Sequence, residues 1–422
     1  MSVGVYPIIR MMQQLKEVYC MKQGLLANYF SAVVAKRLSA VETDPNRSNQ
    51  HEFNGSKPLQ ELLGTDTADP RIFSTRFIWV GEQSEAIIAD GRVTWYDARM
   101  SHPTRTEFRL YFPSTEVSVM AREGDTLFIA QRPDQSLMMI VAEAGTSVEA
   151  QMHWLFSIKH SATDGFQEGS IPQEMQIDFS ARFIFDVLGV DIEEPEADRL
   201  DHLVAHFEGK IPNTAVFSEF TRSTVNDVSP VDDPDGALIA WLVQEEKLFK
   251  RMERQLVANR IEEGFLAYGE TDVDGFIQYS LSVQNRRKSR AGHAFEHHIA
   301  AILDAHSVKY VRGELTENRS KPDFLFPGIL EYRNSEFPNN MLSMLGAKTT
   351  CKDRWRQVLT EAQRITKKHL LTLEPAISTN QTDEMRAHEL QLVVPKPIHD
   401  TFQPVQQSWL MDVSDFIAFV KK

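Results

Sequence analysis

Apolar residues recur at three- and four-residue steps where the chain first becomes readable. Leu25, Leu26, Tyr29, Phe30, Val33 and Val34 predict an amphipathic helix after Met21. Residues 1–20 ahead of it read as an extension. Their apolar stretch at 3–9 has no basic residue before it, so it lacks the pattern of a signal peptide. Between 75 and 145 the apolar runs shorten to four or five residues and are rich in β-branched and aromatic side chains. Residues 76–80, 85–89, 93–96, 108–112, 126–130 and 137–141 read as strands. The breaks between them carry the Gly, Pro, Asp and Asn of turns. Short strands at this spacing predict an all-β barrel or sandwich.

The stretch 159–173 is rich in Ser, Thr and Gly and poor in apolar residues, and a linker is expected over 161–205. An Asp-rich segment at 226–235 divides a helical piece near 195–208 from a long charged helix near 237–264. Beyond 275 the period changes again. Phe295, Ile299, Ile302 and Leu303 share one face of a helix at 294–305. Strands are expected at 308–311, 323–326 and 341–348, a helix at about 352–368, and strands at 370–373 and 390–394. That order predicts an α/β core with helices on both faces. The domains read as 1–20 extension, 21–160 all-β, 161–205 linker and 206–422 α/β.

Composition adds modest limits. The 422 residues suit two or three domains, and the hydrophobic fraction of 42% supports a buried core. No apolar run approaches the roughly 18 residues of a membrane span. Two cysteines, Cys20 and Cys351, make neither a disulfide framework nor a zinc site and suit a reducing cytoplasm. The net charge of −14 excludes a general basic coat for nucleic acid. The charge is uneven, however. Residues 281–360 hold 13 Lys and Arg against 8 Asp and Glu, locally +5, which leaves −19 for the remainder. Asn285-Arg-Arg-Lys-Ser-Arg290 and Lys352-Asp-Arg-Trp-Arg356 lie in this window. Each alone reads as a solvated face; together, flanking acidic residues, they suggest a groove for a polyanion.

Pro322-Asp323 opens a predicted strand, and Lys348 follows 25 residues later near the end of another. This is the spacing of a Pro-Asp…(Asp/Glu)-X-Lys nuclease core, in which carboxylates hold Mg²⁺ against a phosphate and a lysine helps activate water. The usual second carboxylate is missing, because Gly346 stands in its place. Glu361, 13 residues after Lys348, and Glu296, on the earlier helix, are the acids available to replace it. With Asp323 they would give the hard oxygen donors Mg²⁺ prefers. His297 and His298 adjoin Glu296, but adjacent helical residues point apart and Mg²⁺ disfavours imidazole, so neither is read as a ligand. Met341 and Met344 read as strand packing, and Cys351 as inert.

Longer blocks carry a resemblance. Ser282-Val-Gln-Asn-Arg-Arg-Lys-Ser-Arg-Ala-Gly292, Lys321-Pro-Asp-Phe-Leu-Phe-Pro327, Glu336-Phe-Pro338, Ala347-Lys-Thr-Thr-Cys-Lys-Asp-Arg-Trp-Arg-Gln357 and Leu392-Val-Val-Pro395 closely resemble the catalytic domain of EcoRII-type restriction endonucleases, over about 205–420. In that family the second carboxylate has moved from the strand to the following helix. The resemblance implies a PD-(D/E)XK-type, restriction-endonuclease-like fold with Glu296, Asp323, Lys348 and Glu361 as the catalytic set. It adds Tyr332, nine residues after Asp323, as a further active-site position. Glu296, Asp323 and Glu361 would hold Mg²⁺. Lys352, Asp353 and Arg354 would read bases, since Lys and Arg donate to guanine and Asp accepts from cytosine. Arg286, Arg287 and Arg290 would also contact DNA. The family flips the central bases out of the stack. Its arginine cluster after the Asp-Pro-Asp segment is absent here, since Asp233-Pro-Asp235 is followed by no basic residue up to Gln244.

The N-terminal half resembles the same family's effector domain, a DNA-binding pseudobarrel, through Asn28-Tyr-Phe30, Lys36-Arg-Leu-Ser-Ala40 and Thr104-Arg-Thr-Glu-Phe-Arg109. It implies Arg105, Glu107 and Arg109 as DNA-reading strand residues and His51 as a loop contact. Where the family has a lysine before Thr104, this chain has Pro103. The expectation is therefore a homodimeric, Mg²⁺-dependent type II restriction endonuclease. It would cut double-stranded DNA at a CCWGG-like site, be autoinhibited by its N-terminal domain until a second site binds there, and work beside a cognate methyltransferase. The competing readings are the same nuclease with another or modified target, and a non-catalytic DNA-binding regulator.

Overall fold

A computed structural model describes residues 24–43, 51–65, 69–82, 85–102, 104–159, 165–192, 197–207, 209–267 and 270–422, apart from the side chains of 197–199, 267, 270 and 353. The extension at 1–20 and Cys20 lie outside the described residues. The N-terminal half is built on one eight-stranded sheet. Its strands are β1 (Ala32–Arg37), β2 (Glu52–Asn54), β3 (Arg71–Val80), β4 (Ile87–Asp97), β5 (Phe108–Tyr111), β6 (Thr126–Gln131), β7 (Leu137–Ala142) and β8 (Gln167–Glu168), in the order β2-β5-β4-β3-β7-β6-β1-β8. All neighbours are antiparallel except β3 and β7.

The helix expected from Leu25 to Val34 is not formed. Leu26–Asn28 make one 3-10 turn, and the two valines enter β1. The reason is that β1 has a core on each face. Val33 packs with Phe30, Phe156 and Phe185, while Val34 packs with Phe53, Trp79 and Ile129. A strand apolar on both sides gives a run that mimics helical spacing. The two predicted strands at 85–89 and 93–96 are parts of the single strand β4. Gly91 does not turn the chain; a Cβ there would stand 3.1 Å from the Phe77 ring, so glycine admits the ring instead.

The stretch expected as linker carries structure. β8 pairs with β1, and helix α2 (Phe179–Val187) buries Ala181, Ile184 and Phe185 in the N-terminal core beside helix α1 (Ser147–Leu155).

The C-terminal half holds a five-stranded mixed sheet: β9 (Val311–Arg312), β10 (Phe324–Phe326), β11 (Ser343–Lys348), β12 (Lys368–Thr372) and β13 (Leu390–Val393), in chain order. The first two pairings are antiparallel and the last two parallel. Side chains alternate across it. Phe324, Phe326, Leu345 and Ala347 face α4 (Pro234–Glu263), α5 (Val273–Ala305) and α8 (Val413–Val420). Leu325, Met344 and Leu370 face α6 (Trp355–Leu359) and α7 (Thr379–Ala387). The expected α/β core with helices on both faces is present.

Three local departures matter. The helix predicted at 294–305 is only the end of α5, whose polar front half lies along α4. Met341 is exposed in a 3-10 turn, and only Met344 packs in the sheet. The helix predicted at 352–368 breaks after Leu359, and Ala362 takes a left-handed φ of 44°. The Asp-Pro-Asp segment is structural: Asp233 caps α4 through the Gly236 N–H at 2.9 Å. The buried Asp235 carboxylate accepts N–H groups of Lys396, Val413 and Ser414, tying α4 to the far edge of the sheet.

Candidate active site

The sheet's alternation decides which side chains meet. Asp323, just before β10, and Lys348, at the end of β11, lie on the face covered by α6, as Gly346 does. Asp323 Oδ2 accepts the Ala347 N–H at 2.7 Å and the Lys348 ammonium at 2.9 Å. Gly346 has no room for a side chain: a Cβ would stand 2.9 Å from Val358 and 3.5 Å from Leu370. A carboxylate there would have to enter an apolar core.

Glu361 stands on the turn after α6, not inside the helix expected over 352–368. Burial, then the nearby charge of Asp323, push its carboxyl up to about 7, with Lys348 and Lys368 opposing. Its Oε2 is buried and has no hydrogen-bond partner among the described residues. An orphaned carboxylate oxygen beside a second carboxylate is the donor chemistry of a hard divalent cation, so the residues present fit Mg²⁺.

Glu296 is not drawn into this group. Its helix α5 covers the opposite face of the sheet, and its carboxylate is held by Arg312 at 2.8 Å. Among the described residues no cluster of three or more His, Cys, Asp or Glu is arranged to hold a metal. His298 is buried and paired with Glu245 at 2.8 Å, as expected of a structural histidine. Tyr332 is buried one layer behind Glu361, where its hydroxyl donates to Glu317 at 2.5 Å. Burial and that bond push its phenol up to about 12.

The predicted DNA readers divide. Lys352 to Arg354 form a 3-10 turn shortly after β11, with Arg354 exposed. The Asp353 side chain lies outside the described residues. The Gln381 amide donates to the Lys352 carbonyl at 2.9 Å. In the basic run of α5, Arg287 pairs with the buried Glu253 at 2.5 Å. Arg290 donates to the Pro212 carbonyl and lies 5.0 Å from the Phe217 ring of helix α3 (Thr214–Ser223) and 5.1 Å from the Phe249 ring of α4. These two arginines hold helices together, while Arg286 stays partly exposed. In the N-terminal domain Arg105 is exposed in the loop before β5. Arg109 is paired with Glu107 at 2.5 Å and Glu52 at 2.9 Å, and Arg99 also holds Glu107 at 2.5 Å. His51 meets the Phe112 ring edge-on at 5.5 Å.

Sequence reasoning missed Glu82, Glu85 and Glu374, which sit where the two halves touch. Lys288 of α5 meets Glu85 at 2.7 Å. Ser147 donates to Gln381 at 3.1 Å and accepts the Ser378 N–H at 3.2 Å, and Gln151 donates to the Pro375 carbonyl at 3.1 Å. Glu374 is fully buried there and accepts the Cys351 N–H at 2.5 Å. Burial, with Glu82 close by, lifts its carboxyl to about 7. Burial also raises the Cys351 thiol, which suits the inert role read for it.

A mixed five-stranded sheet with helices on both faces is a restriction-endonuclease-like fold, and the enzyme class it goes with here is that of a site-specific deoxyribonuclease. The comparisons name the branch. Residues 249–417 match the family model described as EcoRII C terminal. The chain is 29% identical over 399 residues to the type II restriction enzyme EcoRII of Escherichia coli, covering 93% of this chain and 94% of that one. Solved structures with similarity include restriction endonuclease PspGI in a substrate DNA complex (17% identity, TM-score 0.42, 50% of this chain and 94% of that one). Another is metal-depleted Ecl18kI with uncleaved DNA (17% identity, TM-score 0.40, 54% and 84%). Residues 249–417 therefore carry an EcoRII C-terminal domain, and the relative that the chain resembles along nearly its whole length is a type II restriction enzyme. No helix among the described residues is long and apolar enough to cross a membrane.

Proposed function

We propose that this enzyme cuts both strands of double-stranded DNA at a CCWGG-like site, as a Mg²⁺-dependent homodimer with one active site per strand. The observation that carries this reading is the pairing of Asp323 with Lys348 beside the unpartnered oxygen of Glu361. Asp323 and Glu361 would hold the cation. Glu296 is the third carboxylate of the proposal, and to join the other two it would have to leave Arg312 and reach round the sheet from the face that α5 covers. When bound, Mg²⁺ would offset charge on the scissile phosphate and acidify the attacking water. Lys348 keeps two like charges together and would help position or activate the attacking water. Tyr332 supports the turn that carries Glu361. Lys352, Asp353 and Arg354 would read the guanine and cytosine edges, with Arg286 on the flanking backbone.

The N-terminal domain would bind a second copy of the site through Arg105, Glu107, Arg109 and His51. The Arg109 pairs with Glu52 and Glu107 would reorganise when DNA takes over as partner. Autoinhibition is supported by Gln381, whose one amide accepts from Ser147 and donates to Lys352, coupling the N-terminal domain to the base-reading turn. Such an enzyme would act in the cytoplasm beside a cognate methyltransferase. Sequencing the fragment ends after Mg²⁺ digestion of DNA carrying several CCWGG sites tests the reading. Ends at those sites are expected; ends elsewhere would assign another target, and uncut DNA that still shifts in a gel would leave a regulator.

A further inference from the structure

Glu361 stands on a turn between α6 and β12, and a single arginine holds that turn. Every guanidinium N–H of Arg364 is placed. Nη1 donates to the carbonyls of Tyr332 and, at 2.9 Å, Asn334. Nη2 donates to the Phe337 carbonyl at 2.9 Å and Asn339 Oδ1 at 2.7 Å, and Nε donates to the same Oδ1 at 3.1 Å. The Arg364 main-chain N–H reaches the Tyr332 hydroxyl at 3.3 Å. Glu317 accepts both that hydroxyl, at 2.5 Å, and the Gln363 N–H at 3.3 Å. From inside, the buried Lys368 ammonium closes the turn on the carbonyls of Ala362, at 3.3 Å, and Ile365, at 2.6 Å. The turn has something to resist. Ala362 is left-handed, and the Glu361 and Asp323 carboxylates repel one another across the site.

We propose that Arg364, together with Glu317, is a positioning residue for Glu361: the bracket they build on 332–339 holds the Glu361 carboxylate beside Asp323 against their mutual repulsion. This rests on the reading of Asp323 and Glu361 as cation ligands. An arginine that only stabilised the fold would change melting temperature and leave cation affinity alone.

The test is a double-mutant cycle read by calorimetric titration of Ca²⁺ into the full chain, with thermal melts confirming that each variant is folded. Arg364→Met is expected to weaken Ca²⁺ binding about tenfold, the size of effect typical for a residue that orients a ligand. DNA binding without cation should be unchanged, and Arg364→Lys should recover part of the loss. In a Glu361→Gln background, Arg364→Met should add nothing. Unchanged affinity in Arg364→Met, or a loss that persists undiminished beside Glu361→Gln, overturns the proposal. If the wild-type chain itself takes up no Ca²⁺, the ligand reading falls and this proposal with it. Should Arg364→Met fail to fold, Glu317→Gln enters the same cycle with the same expectation.

Discussion

Lys348 shares its ammonium between Asp323, at hydrogen-bond distance, and the field of Glu361. Removing it leaves two carboxylates facing each other in a half-buried site, where like charge raises the pKa of one of them. Lys348→Ala should therefore lower the cleavage rate at least a hundredfold, the scale of a lost electrostatic or proton-transfer group, while DNA still binds. Single-turnover kinetics beside a gel shift separate the two effects. The Glu361 carboxyl, raised to about 7, gives a second expectation. Below that pH the carboxyl carries a proton that a cation must displace, so cation binding weakens as pH falls through about 7 and releases protons. Titration in two buffers of different ionisation enthalpy would register that release. Equal heats in both buffers at pH 6.5 would contradict it.

At the scale of elements, Gly346 explains why the second carboxylate is not on the strand. β11 lies so close under α6 that even a methyl group would meet Val358. Gly346→Ala should cost about 1–3 kcal/mol by overpacking. Gly346→Glu should not restore activity to a Glu361→Gln enzyme, and denaturant unfolding with an activity assay checks both. His369, on β12, is buried against the Phe416 and Phe419 rings, and burial holds its imidazole down at about 4. Its folded pKa lies below its unfolded one. The stability from keeping it neutral is present above about 6.5 and lost as pH falls from there towards 4. His369→Phe should flatten the fall in unfolding free energy between pH 7 and pH 5.

Elements set off by turn residues or by a clear apolar stripe were legible in the chain: the end of α5, the short apolar runs around Asp323 and Lys348, and most of the N-terminal sheet. β1 was misread because the buried Leu26 and Phe30 of the turn before it run on into the doubly buried Val33 and Val34, and the joined run has helical spacing. The front of α5 was missed because it packs through arginines rather than apolar side chains. Asp323 and Lys348 could be found from spacing; Glu361 stood out with Glu296 as an acid able to replace the missing carboxylate, and only the long resemblance gave it a place in the set. Arg364 and Glu317 left no local signature, since their partners are carbonyls and loops distant in sequence.

Among the described residues the two large sheets meet through Phe179 of α2 and through polar contacts of Ser147 and Gln151, beside the turn at Lys352–Arg354. The Lys288–Glu85 pair is exposed, so Glu85→Gln alone should change little. Ser147→Ala with Gln381→Ala removes the bond that couples the N-terminal domain to Lys352. That double variant should cut single-site DNA faster than wild type, and an unchanged rate would argue against the N-terminal domain as an inhibitor. The Glu374 carboxyl is raised to about 7 by burial and by Glu82. Its contribution to the stability of the fold is full below about 4.5 and is lost as pH rises through about 7.

One comparison bears most directly on the catalytic centre. Circular DNA carrying several CCWGG sites is incubated with Mg²⁺ and either the wild-type chain or Lys348→Ala, and products are followed in single turnover. Discrete fragments from the wild type, and intact DNA bound by the variant, are the predicted result. Fragments produced equally fast by Lys348→Ala would show that hydrolysis does not depend on the Asp323–Lys348–Glu361 centre.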